Sequence, residues 1–109
     1  MKERERRIGH NEALVREVNE RVERLAQASQ AGDEPMQILC ECGDRNCRER
    51  IEIPVEEYEA LRHATHFFVR PGHETPDVEY VIAKKDGYDV VKKRPGLPTA
   101  IAEATDPRS

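Results

Sequence analysis

Three cysteines fall within the single stretch Cys40-Glu41-Cys42-Gly43-Asp44-Arg45-Asn46-Cys47, and the chain has no others. An odd number of thiols cannot pair off internally, and in a reducing compartment clustered cysteines serve as metal ligands or redox groups rather than as a disulfide framework. In extended backbone, side chains two apart share a face, so Cys40 and Cys42 can present two sulfurs to one ion. Gly43-Asp44 supplies a tight turn that returns Cys47 to them. A structural zinc takes four ligands in a tetrahedron, and Cys3His is one of its usual sets.

The fourth ligand must then come from elsewhere in the chain. His63, His66 and His73 follow the cluster, and His10 precedes it. His73 is the favoured choice, because Pro71-Gly72 holds it in a turn where the ring can be aimed without disturbing strand or helix hydrogen bonds. His66 is the alternative, with His63, a carboxylate or water behind it. Asn46, Arg45 and Arg48 are candidate hydrogen-bond donors to the sulfurs. Other readings of the three cysteines are buried thiols without chemical consequence, a redox Cys-x-Cys pair with its pKa lowered by nearby arginines, and a nucleophilic Cys with a His base.

Composition shows why a metal matters here. Only 37% of the residues are hydrophobic, 37% are charged, and the aromatics are two Phe, three Tyr and no Trp. A chain of 109 residues this polar builds one small core. A structural zinc contributes on the order of 10 kcal/mol of coupled binding and folding in zinc-finger peptides. No apolar run approaches a membrane span, and the opening Met1 to Arg7 lacks the apolar stretch of a signal peptide, which leads us to expect a cytoplasmic protein. The net charge of −4 argues against a generally basic nucleic-acid binder. Its acidic excess lies in residues 32–63, which carry nine acidic and four basic side chains.

The spacing predicts an α+β fold in which an N-terminal amphipathic helix precedes a small zinc-knuckle antiparallel β domain with one short helix and a C-terminal β-hairpin. Ile8, Val15, Val18, Val22 and Leu25 fall on one helical stripe, with the helix itself expected over residues 11–31, and the stripe either covers the core or pairs in a short coiled coil with a second copy. Residues 1–10 read as a charged flexible tail, and Gly32 as the helix stop before a polar linker to Pro35. Within 35–93, Met36 to Cys40 and Ile51 to Ile53 read as strands around the Cys turn. A helix opens at Pro54 with Val55, Tyr58 and Leu61 inward, Phe67 to Val69 form a third strand, and the Asp86-Gly87 pair closes a hairpin. Residues 94–109 offer little to bury and read as a disordered tail.

Taken together, these runs resemble a group of small, uncharacterised bacterial proteins with a Cys-x-Cys-x4-Cys and Pro-Gly-His zinc motif. The shared residues are Asn11-Glu12-Ala13 through Asn19-Glu20-Arg21-Val22, Cys40-Glu41-Cys42-Gly43-Asp44 with Cys47, and Pro54-Val55-Glu56-Glu57-Tyr58. They continue with Phe68-Val69, Pro71-Gly72-His73-Glu74 and Tyr88-Asp89-Val90-Val91. The resemblance supports Cys40, Cys42, Cys47 and His73 as ligands and implies no substrate. The ligand set is also similar to that of the CDGSH-type [2Fe–2S] proteins, although those place the His four residues after the last Cys. Cys-x-Cys with one further Cys looks like the start of a SWIM-type zinc motif, but its Cys-x-His ending is absent.

These observations point to a zinc-stabilised, non-enzymatic adaptor or regulatory protein. It would engage a protein partner through the long helix or the acidic middle, or self-associate through the helix. Nucleic-acid binding through Lys84, Lys85, Lys92, Lys93 and Arg94 is one alternative. A Cys-based redox or iron–sulfur protein is the other.

Overall fold

Met36-Gln37-Ile38 and Arg50-Ile51-Glu52-Ile53 alternate apolar and polar side chains, the period of a strand with one buried face. In the computed structural model, which describes residues 2–29 and 34–108, they form β1 (Met36–Leu39) and β2 (Arg50–Ile53). The two pair antiparallel with Met36 opposite Ile53 and Ile38 opposite Ile51. The helix α2 (Val55–Leu61) follows, and β3 (His66–Val69), β4 (Glu79–Lys85) and β5 (Tyr88–Lys93) make a second antiparallel sheet in the order β3-β5-β4. Asp86-Gly87 turns the β4–β5 hairpin with Gly87 at φ 88°. This is the α+β architecture that the sequence predicts, flanked by α1 (Lys2–Ser29) and α3 (Leu97–Ala104).

Adjacent residues of β3 build the two sides of the interior. Phe68 faces Met36, Ile38, Ile51, Ile53, Tyr58, Tyr88 and Val90, and its ring stacks on Tyr58 with centroids 5.0 Å apart. Phe67 points the other way, to Val69, Val91, Ala102 and the buried thiols Cys40 and Cys42. The first side is closed by β1, β2 and α2, with Val22 and Ala26 of the N-terminal helix against it. Over the second lie the rest of that helix and α3.

The docking of α1 corrects the sequence reading of this helix. The apolar stripe covers the core only in part: Val22 packs against the Phe68 side and Ile8 and Val15 are half-buried, but Leu25 is 70% exposed and Val18 43%, and Leu14 beside them is 53% exposed. The residues that go inside are Glu12, Arg16, Asn19, Glu20 and Glu23, a polar stripe at i, i+4, i+7, i+8 and i+11. It can be buried because each member meets a partner. Lys93 Nζ donates to Glu12 and, at 2.7 Å, to Glu79. The Arg16 guanidinium lies 4.4 Å from the Phe67 centroid and donates to the carbonyls of Ala64 (2.6 Å) and Ala102 (2.7 Å). Asn19 donates to the Leu39 carbonyl (2.9 Å) and the Glu41 carboxylate (2.8 Å), and accepts from the Leu39 N–H (2.9 Å). Glu20 takes the Tyr58 hydroxyl and Arg108.

Both expected tails are structured. The helix begins at Lys2, so residues 2–10 belong to α1. The C-terminal segment carries α3, which packs along α1 where Gly9 admits Ile101; a Cβ at Gly9 would sit 2.8 Å from Ile101 Cγ2. Beyond it, Asp106 pairs with Arg62, and Arg108 reaches Glu20 and, at 2.8 Å, Glu59. Counting apolar residues missed this segment because polar groups do much of its anchoring. The expected stop at Gly32 and the linker start fall at residues 30–33, outside the described residues.

Two outcomes follow from this packing. Asn19→Ala leaves the Leu39 N–H and a Glu41 oxygen without partners and should lower stability by about 2 kcal/mol, whereas Val18→Lys should change it by less than about 0.5 kcal/mol; urea unfolding of both variants separates a buried polar face from a buried apolar one. Glu23 is pushed up to about 7, first by burial and then by its hydrogen bond with Glu59. The folded state therefore keeps a proton that the unfolded chain releases near its ordinary carboxylate range, and this group's contribution falls as pH rises from there through about 7. Glu23→Gln should flatten that fall, read as the difference between variant and wild-type unfolding midpoints across the same pH series.

Candidate metal centre

Past Leu39 the chain stays extended, and alternation divides the next three residues between two jobs. Cys40 and Cys42 turn into the Phe67 side of the interior. Glu41 faces α1 and β3, where it is 1% exposed and accepts from the Phe68 N–H (3.0 Å) and Asn19 (2.8 Å). The Glu41 N–H returns to the Phe68 carbonyl at 2.8 Å, stitching the limb to β3. Burial pushes the Glu41 carboxyl up to about 7, opposed by Asn19, the Phe68 N–H and Arg16.

Gly43 makes the turn at φ 81°, and α1 presses on it. A Cβ there would lie 2.7 Å from Ile8 Cγ2, and Asn11 donates to the Gly43 carbonyl at 3.0 Å. Asp44 then orders the return, its side chain accepting from the Asn46 N–H (2.9 Å) and its carbonyl from the Cys47 N–H (3.0 Å). On the far side, the turn after β3 closes when the His73 N–H donates to the Arg70 carbonyl at 3.0 Å.

These two turns bring Cys40, Cys42, Cys47 and His73 together, with all four ligand atoms within 4.8 Å of one another. His73 Nδ1 lies 3.6 Å from the Cys40 sulfur and 3.7 Å from that of Cys47. Metal–ligand lengths of about 2.3 Å for sulfur and 2.0–2.1 Å for nitrogen give a tetrahedral S···N edge of about 3.6 Å. The four are close enough to hold one metal ion. His66 is directed elsewhere: its Nδ1 is 3.2 Å from the Leu61 carbonyl and its ring stacks obliquely on His63, 4.7 Å away.

Each sulfur also meets a backbone donor. The Arg70 N–H points at Cys40 from 3.2 Å, the Asp44 N–H at Cys42 and the Glu49 N–H at Cys47. Such bonds stabilise the thiolate over the thiol. Arg45, Asn46 and Arg48, the side-chain donors that the sequence suggests, are all exposed; the backbone supplies the hydrogen bonds instead. The thiols compete for protons. The hydrogen bond between Cys40 and Cys42 pushes Cys40 far up and holds Cys42 down at about 5, while burial raises Cys47. A cation placed among three such sulfurs replaces shared protons with shared positive charge.

Sequence reasoning missed Glu41 and the inward-facing Asn19 and Arg16. The signals were available in the alternation across Cys40-Glu41-Cys42 and in the polar i, i+4, i+7 pattern of α1, which the apolar stripe overshadowed.

The fold and the site define a small α+β protein with a Cys3His group able to hold a metal ion. No family model matches the chain, and no curated protein and no solved structure matches it.

His73→Ala should weaken Co2+ or Zn2+ binding by more than the roughly 10- to 100-fold that loss of an outer hydrogen-bond partner costs, and His66→Ala should leave it unchanged. Competition titration against a chromophoric chelator measures both.

Proposed function

We propose that this protein is a zinc-binding adaptor or regulatory module, in which Cys40, Cys42, Cys47 and His73 hold one structural Zn2+ and the module acts by binding another protein. The observation that carries the metal assignment is the placement of His73 Nδ1 3.6 and 3.7 Å from two of the sulfurs, the S···N edge expected of a tetrahedral site, with a backbone N–H on every sulfur. Four protein ligands complete a tetrahedron, which favours a structural ion over a catalytic one that keeps an open position. One compact ligand set also favours a single ion over a [2Fe–2S] cluster, whose four ligands divide between two irons. The reduced thiols suit a cytoplasmic setting, and among the described residues no helix is long and apolar enough to cross a membrane.

The binding role is supported by α1, which buries its polar stripe and leaves Leu14, Val18 and Leu25 in solvent. The nucleic-acid alternative loses part of its footing. Lys93 is buried between Glu12 and Glu79, Lys84 lies 3.7 Å from Asp89, and Arg94 donates to the Pro76 carbonyl while covering the Tyr80 ring.

Elemental analysis of protein purified without added metal should give one zinc per chain, and chelation should lower the thermal midpoint. Iron with sulfide and visible absorbance, or a zinc content that survives Cys47→Ser unchanged, would overturn the assignment.

A further inference from the structure

The outer side of α1 and the knuckle form one continuous surface. Leu14, Val18 and Leu25 are exposed on the side of α1 opposite its buried stripe. Beside Leu14 lies a hollow of about 250 Å³ whose lining includes Leu14, Val15 and Leu39 together with Cys47, Arg45 and Arg48. Arg7 and Arg21, seven residues to either side of Leu14, are exposed above and below it. The acidic side chains of this part of α1 are withdrawn: Glu12, Glu20 and Glu23 are buried against Lys93, Arg62 and Arg108. The acids left exposed around it are partnered: Glu17 lies 3.5 Å from Arg21 and Glu49 3.8 Å from Arg70, and Asp44, which also lines the hollow, takes the Asn46 N–H.

Resting on the reading of this protein as a binding module, we propose that the Leu14–Val18–Leu25 side of α1 and the adjoining hollow dock an acidic amphipathic helix of another protein, which inserts an apolar side chain between α1 and the knuckle. Charge complementarity selects this occupant. A second copy would set the exposed Arg7 and Arg21 of one helix against those of the other, whereas an acidic helix places carboxylates against them and against Arg45 and Arg48. Duplex DNA would satisfy the arginines and leave the three apolar side chains unmatched. A lipid surface is broad and offers no projecting group to fill a concave site, while a helix in a groove anchors by single apolar side chains at helical spacing.

The test uses the full-length, zinc-loaded protein and a labelled helix-forming peptide of Glu residues with Leu along one side. Its controls are the same peptide with Ala for Leu, a Lys version, anionic phosphatidylserine vesicles and duplex DNA. The Glu/Leu peptide should bind, weaken with added salt, and lose at least about tenfold in affinity with Leu14→Glu and with Arg48→Glu. Circular dichroism and zinc content verify the fold of both variants, and the exposed Arg48→Glu keeps the test decisive if Leu14→Glu does not fold. Failure of the peptide to bind, binding indifferent to both variants, tighter binding to vesicles or DNA, or a dimer mass by light scattering would each overturn the proposal. Zinc measured on the same samples keeps the two readings apart: a one-zinc protein that ignores the peptide loses only this surface, and a zinc-free protein that binds it loses only the metal assignment.

Discussion

The burial of charge between α1 and the β3-β5-β4 sheet is the constraint on which the rest of the molecule depends. Lys93 sits between Glu12 and Glu79, and both Lys93, at 5.1 Å, and Arg16, at 4.4 Å, lie over the Phe67 ring. Ions removed from water cost several kcal/mol each unless every one is paired and hydrogen-bonded, and removing a single partner from a buried pair costs about 3–5 kcal/mol. An interface of this kind tolerates one arrangement only. Burial raises Glu12 well above its ordinary range while Lys93 pulls it back, the balance expected where two carboxylates share one ammonium. The position of α1 is thus specified by matched polar groups, which explains how so polar a chain encloses an interior.

The knuckle depends on that interface. Ile8 and Asn11 of α1 hold Gly43, and Asn19 holds both Leu39 and Glu41. The first turn of the candidate metal centre is therefore shaped from behind by a helix, and the second is closed by the bond from the His73 N–H to the Arg70 carbonyl. Backbone donors to all three sulfurs mean that the strands and turns themselves set the direction of the thiolates.

Much of this was legible in the sequence, for identifiable reasons. The strands around the cysteines show in the alternation of Met36 to Ile38 and Ile51 to Ile53, and the hairpin in Asp86-Gly87, because these are local signals with a single structural solution. His73 could be singled out from the other histidines because Pro71-Gly72 marks a turn. The orientation of α1 could not be read the same way. Its two stripes, Ile8-Val15-Val18-Val22-Leu25 and Glu12-Arg16-Asn19-Glu20-Glu23, are both regular, and which one turns inward depends on whether Lys93, Arg62, Tyr58 and Arg108 wait opposite. Those partners lie as many as 88 residues away in sequence. The same long-range pairing hid α3, whose attachment rests on Arg16, Arg62 and Arg108 as much as on Ile101 and Ala102.

Glu41 carries a consequence for how the chain finds its alignment. A strand displaced by one residue exchanges its two sides. Here such a slip would set a carboxylate beside Cys47 and His73 and present Cys40 or Cys42 to Asn19 and the Phe68 N–H, which need a strong acceptor. Neither environment would accept the exchange, so the three residues check their own register from opposite directions at once. A folding chain that settles the helix first and one that captures an ion first are driven to the same alignment.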